Sequence, residues 1–228
     1  MASLQRCAIV FLTTISLATL HASPGQAVTV GAIDDFQDGT TAGWGGGGGA
    51  SNLADAGPTG AGDNALRVAT GSGRVAIVNT TQWTGDFLAA GVTQLQMDIR
   101  NESGFPLEMR IGVANGPVGS GGAGDTYVSA MSVPVVADSQ WHRIALSLSP
   151  ADFIPHTANT NPAPNAAAAL ANVSHFRILH NPMANFLGAM GPATFYLDNI
   201  RAVPEPHAAT LALLALGLIA ARQPRRTA

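Results

Sequence analysis

Two runs of strict alternation constrain this chain more than any other feature. Leu95, Met97 and Ile99 fall on one side of an extended strand, while Gln94, Gln96, Asp98 and Arg100 fall on the other. Leu107, Met109, Ile111 and Val113 repeat the pattern against Glu108 and Arg110, with residues 101–106 as a turn between the runs. A period of two with one apolar face describes antiparallel strands that cover a core on one side only. Residues 28–36, 65–69, 74–78, 127–136, 141–148, 173–179 and 194–203 read as further strands. Gly71-Ser72-Gly73 has the length of a hairpin connection between two of them, and Pro134 marks an edge or a bulge. About nine strands in roughly 175 residues predict an all-β fold, an antiparallel two-sheet β-sandwich of jelly-roll type.

The punctuation agrees. Charged residues are only 11% of the chain, against 26 Gly and 14 Pro, a mixture that excludes long polar helices. Five successive glycines at 45–49 make a flexible or tightly turned loop. Residues 116–124 and 155–164 read as irregular loops, and 166–171 as one or two helical turns.

Both ends read as targeting segments. Arg6 precedes an apolar run over 7–20 and then small residues, the layout of a secretory signal peptide at 1–27. Cleavage after Ala22 or after Ala27 satisfies it, and Gly25-Gln26-Ala27 fits the small-x-small pattern better. The single cysteine, Cys7, leaves with this peptide, so the domain at 28–202 has no disulfide to lean on. Lysine is absent. Over 28–203 there are 7 arginines against 11 aspartates and 2 glutamates, a net charge near −6, which offers no electrostatic footprint for nucleic acid.

At the other end, Val203-Pro204-Glu205-Pro206 forbids regular helix or central strand. An uncharged Leu- and Ala-rich run follows over 208–221, and then Arg222, Arg225 and Arg226. As a helix the run is about 21 Å long, short of the ~30 Å hydrocarbon core, and its arginines stay on the cytoplasmic side. In order and position, the tail at 203–228 resembles the PEP-CTERM sorting tail of Gram-negative envelope proteins. The resemblance implies membrane anchoring through the short helix, then cutting near Pro-Glu-Pro by the membrane protease-transpeptidase exosortase. An ordinary short C-terminal anchor is the alternative.

Asp34, Asp35 and Asp38 cluster at the first turn, and Asp198 lies in the last strand. First and last strands of an antiparallel sandwich are often neighbours, and gathered carboxylates suit a hard cation such as Ca²⁺. Equally, such aspartates cap turns through local hydrogen bonds. Phe36-Gln37-Asp38-Gly39, Trp44, Gln140-Trp141-His142-Arg143-Ile144 and Leu197-Asp198-Asn199-Ile200 together resemble carbohydrate-binding modules of the galactose-binding-like, jelly-roll type. That resemblance implies a structural calcium held by Asp38 and Asp198, with Asp34 or Asp35 assisting. Gln37 departs from it, because relatives often carry Glu there.

A sugar-binding face needs exposed rings. Trp83 and Tyr127, placed near loops, are the candidates, ahead of Trp44; Trp141 and Tyr196 read as packing. Catalytic signatures are missing: no metal-spaced pair among His142, His156, His175 and His180, no G-x-S-x-G elbow, and Glu102 and Glu108 on or beside a solvated face. The expected protein is therefore an exported, non-enzymatic sandwich of the cell envelope or extracellular matrix that associates with extracellular polysaccharide. A module with one specific glycan, a glycoside-active enzyme and a purely structural matrix protein are the alternatives.

Overall fold

A computed structural model describes residues 27–47, 49–116, 125–156 and 165–204. The expected signal peptide at 1–27, apart from Ala27, and residues 205–228 of the expected sorting tail lie outside the described residues. No described helix is long and apolar enough to cross a membrane.

Twelve strands are described: β1 Ile33–Asp34, β2 Ala50–Leu53, β3 Ala65–Thr70, β4 Ala76–Asn79, β5 Gln94–Asn101, β6 Leu107–Asn115, β7 Asp125–Ser129, β8 Val133–Val135, β9 Trp141–Ser147, β10 Phe153–Pro155, β11 His175–His180 and β12 Ala193–Val203. They form two antiparallel sheets. Sheet one has the order β2-β3-β12-β5-β9, with β1 continuing beside β12; sheet two has the order β10-β7-β6-β11-β4, with β8 also pairing β6. The one described α-helix, α1 Ala166–Leu170, is a single turn capped by the Asn165 side chain, which accepts from the Ala168 N–H.

The alternation read from the sequence is the core pattern. Leu95, Met97 and Ile99 of sheet one face Leu107, Met109, Ile111 and Val113 of sheet two, all within 1% of full burial. Each such side chain contributes roughly 1.5–3 kcal/mol on burial. The first and last strands are indeed neighbours, with Asp34 opposite Ile200.

Three local readings are corrected. Residues 65–69 and 74–78 are no hairpin: β3 pairs β12 in sheet one, whereas β4 pairs β11 in sheet two, so the Gly71-Ser72-Gly73 link crosses between layers. The opening strand shrinks from 28–36 to Ile33–Asp34, because a turn closes from Ala32 N–H to the Thr29 carbonyl, Gly31 takes φ +87° and Phe36 φ +58°. Residues 127–136 break into β7 and β8, which pair with successive parts of β6: Gly112–Asn115 and Leu107–Met109 respectively.

One irregularity positions the site. The register of β12 against β5 shifts between Asp198 and Arg201, and Asn199 sits at φ +50°. This bulge lets both Leu197 and Ile200 enter the core, while Asp198 stays on the outer face with Tyr196.

Candidate functional sites on the two outer faces

The expected acidic cluster is divided by strand parity. In β1, Ile33 points outward and Asp34 inward. Asp34 is 8% exposed. Its Oδ2 accepts from the indole N–H of Trp44 at 2.7 Å and of Trp83 at 2.6 Å, and its Oδ1 accepts from the Gln82 amide at 3.0 Å. A buried indole needs an acceptor for its N–H, and an ionised carboxylate supplies a strong one. Asp34 is thus a core staple, turned away from Asp198. Asp38 is an exposed turn cap: it accepts from the Thr40 backbone N–H and hydroxyl, each at 2.8 Å, and these bonds hold its carboxyl below the usual range. Neither side chain bonds to Asp198.

What does gather is Asp198 with Asp63, Asp98 and Asp35, all on the sheet-one side. Asp198 is 1% exposed, and among the described residues only its neighbour Asn199 donates to it, through the backbone N–H at 2.7 Å and the side-chain amide at 3.0 Å. Burial pushes its carboxyl up to about 7, the Asn199 backbone bond opposes that, and the negative charges of Asp63, Asp98 and Asp35 add to the rise. Asp98, opposite Asp198 in the ladder, is held by Arg143 through two bonds of 2.9 Å. Gln37 reaches into this group: its amide nitrogen donates to Asp63 Oδ1 at 2.7 Å and to the Asp35 carbonyl at 3.0 Å. An amide at this position removes one negative charge and bridges two acidic residues. Among the described residues, no three acidic, His or Cys side chains already sit at metal-binding distance. The oxygens of Asp35, Asp63, Asp198 and Gln37 are nonetheless the hard-donor chemistry that a calcium ion takes. Asp63 was not expected here; the signal for it was Gly62-Asp63-Asn64 immediately before a strand of sheet one.

The rings proposed as a sugar platform are not on a surface. Trp83 is 1% exposed and Tyr127 4%. Trp83 stands 6.0 Å from Trp44 and 5.8 Å from Phe176, between the sheets. Tyr127 faces inward because it is opposite Val113 in the ladder. Being near a loop in sequence did not place either ring at the solvent; the link carrying Trp83 dives into the open end of the sandwich. Trp141 and Tyr196 are packed on the outer face of sheet one, as expected, and the Arg100 guanidinium lies 5.2 Å and 4.0 Å from their ring centres. Glu102 pairs with Arg100, and Glu108 accepts from the Ser132 hydroxyl.

Sheet two is covered differently. Residues 181–191, linking β11 to β12, form a strap across its outer face. Arg110 ties down one end by donating to the carbonyls of Asn181 and Pro182. Arg177 donates to the Phe186 carbonyl, Arg74 to the Gly188 carbonyl, and the Thr70 hydroxyl to the Gly191 carbonyl. Phe186, fully buried, presses onto Gly112, where a Cβ would come within 2.7 Å of the ring. Glycine in the middle of β6 is what admits the ring. Beside the strap, a cavity of about 220 Å³ opens between the 46–47 turn, the outer side of β4, Leu187, Arg74 and Arg177. The glycines here are held tight rather than loose: Gly45 exchanges backbone hydrogen bonds with Val78, and a Cβ on Gly73 would strike the Gly47 carbonyl at 2.5 Å.

Comparisons with known proteins fit this geometry at the level of fold and tail. Residues 202–226 match the PEP-CTERM protein-sorting motif. A solution structure of the carbohydrate-binding module CtCBM11 is similar with a TM-score of 0.51 and 22% identity, covering 77% of this chain and 96% of that one. A family 11 module from Clostridium thermocellum in complex with a β-1,3-1,4-mixed-linked tetrasaccharide gives 0.48 and 20%, over 77% and 97%. An exo-β-agarase gives 0.50 and 15%, over 78% of this chain but 25% of that one. No curated protein matches the chain.

Proposed function

We propose that this chain is exported, held at the inner membrane by its short C-terminal helix, and passed by exosortase to the cell surface or the extracellular matrix. There its β-sandwich associates with extracellular polysaccharide without catalysing a reaction. The observation that carries this reading is the sorting motif at 202–226. The likeness of the sandwich to a carbohydrate-binding module supports the choice of polysaccharide as partner. That likeness is one of fold, and folds host many functions, so the ligand must be read from the faces themselves.

Calcium belongs to the same reading. Asp35, Asp63 and Asp198, with the amide oxygen of Gln37, are the residues that would hold it, in place of the expected Asp34 and Asp38. The ion would supply countercharge to a buried carboxylate that has none among its described neighbours, and would tie β1, the 55–64 loop and β12 together.

The test of sorting uses the full chain in a producing cell. Alanine in place of Pro204 or Glu205 should leave the full-length form in the membrane fraction while the unaltered chain is shortened and released. Normal shortening of both variants would contradict the proposal.

A further inference from the structure

Four basic or imidazole groups lie on the outer side of sheet two: Arg74, Arg177, His156 and His175. No carboxylate pairs with either arginine among the described residues. Arginine carries five N–H donors in a fixed fork. Arg74 spends one on the Gly188 carbonyl and Arg177 one on the Phe186 carbonyl, the latter a long bond of 3.3 Å. Among the described residues, Arg177 Nε is shut off from solvent without an acceptor, and Nδ1 of His156, a residue 5% exposed, has no hydrogen-bond partner. Unsatisfied buried donors of this kind are rare and call for a partner. Burial, then the neighbouring Arg74 charge, pulls the Arg177 guanidinium below its ordinary value, and the imidazole of His156 is lowered by burial and by both arginines. The Arg177 guanidinium lies over the Phe186 ring, 4.3 Å from its centre, and no carboxylate joins it there among the described residues.

A cavity lies beside the two arginines. Arg74 and Arg177 are both among the residues lining the 220 Å³ cavity beside the strap, and the remaining lining residues are glycine or apolar: Gly46, Gly47, Ala76, Ile77, Val78 and Leu187. That volume is below the roughly 300–1,000 Å³ of pockets that enclose drug-sized ligands, so it takes one charged group or one ring rather than a length of polymer. Planar, forked donors suit a carboxylate or a sulfate. We propose that the cavity between the 46–47 turn, β4 and the 181–191 strap is an anion site, in which Arg74 and Arg177 bind a carboxylate or sulfate group carried by an acidic polysaccharide.

The source of the anion rests on the polysaccharide reading above; the site itself does not. Calorimetric titration of the full chain separates the two, using oligogalacturonate, a neutral galactose oligomer of equal length, and inorganic sulfate as probes. The expected result is binding of the acidic oligomer, at least about tenfold weaker binding of the neutral one, competition by sulfate, and weakening with added salt. Arg74→Gln should weaken the acidic oligomer by about tenfold, as loss of one charge-assisted contact does. Because Arg74 and Arg177 both also hold the strap, Val78→Phe serves as a second variant: it fills the cavity, keeps both arginines and should block the acidic oligomer at an unchanged melting temperature. Equal binding of neutral and acidic oligomers would overturn the anion site and leave polysaccharide association standing. Sulfate binding that depends on Arg74, with neither oligomer bound, would keep the site and overturn its sugar source. Binding of the acidic oligomer unaffected by either variant would overturn the location.

Discussion

The outer faces of the two sheets differ in how their charges are paired. Sheet one gathers Asp35, Asp63, Asp98 and Asp198, with Arg143 answering Asp98 from a largely exposed position. Sheet two gathers Arg74, Arg110 and Arg177 and uses them on carbonyls of the strap. Sheet one also carries Arg67, Arg100 and Arg201, yet among the described residues no basic group pairs with Asp198, while no carboxylate pairs with Arg74 or Arg177 on sheet two. Each shortage identifies a class of ligand, which the near −6 total does not.

The comparison can be broken most severely at the strap. Phe186→Ala removes a fully buried ring from sheet two and should cost about 3–5 kcal/mol in denaturant unfolding. If it cost under about 1 kcal/mol, the strap would not be part of the folded face. A smaller effect is expected from calcium on sheet one. At a hundredfold excess over its dissociation constant an ion adds about 2.7 kcal/mol, which for a domain of this size raises the melting temperature by about 5–10 °C. An unchanged melting temperature with calcium and with chelator would remove the metal from the account.

The pH dependence sharpens the same face. The Asp198 carboxyl titrates at about 7 in the fold against 3.8 when unperturbed, so the folded form holds a proton that the unfolded form has lost. Its contribution is fully present below about pH 3.8 and is lost as pH rises through about 7. In chelator, the chain should therefore lose stability on the order of 2 kcal/mol through this group between pH 5 and pH 8. Asp198→Asn should flatten that slope and abolish any calcium response; a slope retained in the variant would assign it elsewhere. The smallest effect belongs to Arg143→Ala. Its pair with Asp98 has good geometry, yet the arginine side chain is 71% exposed. A loss below about 1 kcal/mol is expected, and a larger one would show that Asp98 depends on it for countercharge.

Much of this was legible in residue order, and the misses share a cause. Alternation at 94–100 and 107–113 gives the strands and their inner faces, because period two is a local property. Which sheet a strand joins is not local, so β3 and β4 read as a hairpin although they lie in different layers. Parity also decided the acidic cluster: Asp34 and Asp35 are neighbours in sequence but point to opposite sides of β1, and only the placement of Trp44 and Trp83 reveals which one turns inward. Trp83 and Tyr127 read as exposed because loops are usually at the surface, whereas the connection after β4 carries Trp83 into the core and Tyr127 sits on the inward side of β7. Gly112 did carry a local signal, a glycine inside a run of Met, Ile and Val, which marks a close approach; the ring that uses it comes from residue 186.

The most direct measurement is retention of the folded chain on extracellular polysaccharide, by affinity electrophoresis in calcium and in chelator. The account predicts retardation by an acidic polysaccharide, stronger with calcium present, and little by a neutral one. Free migration through both, by protein shown folded by its near-ultraviolet circular dichroism, would contradict it.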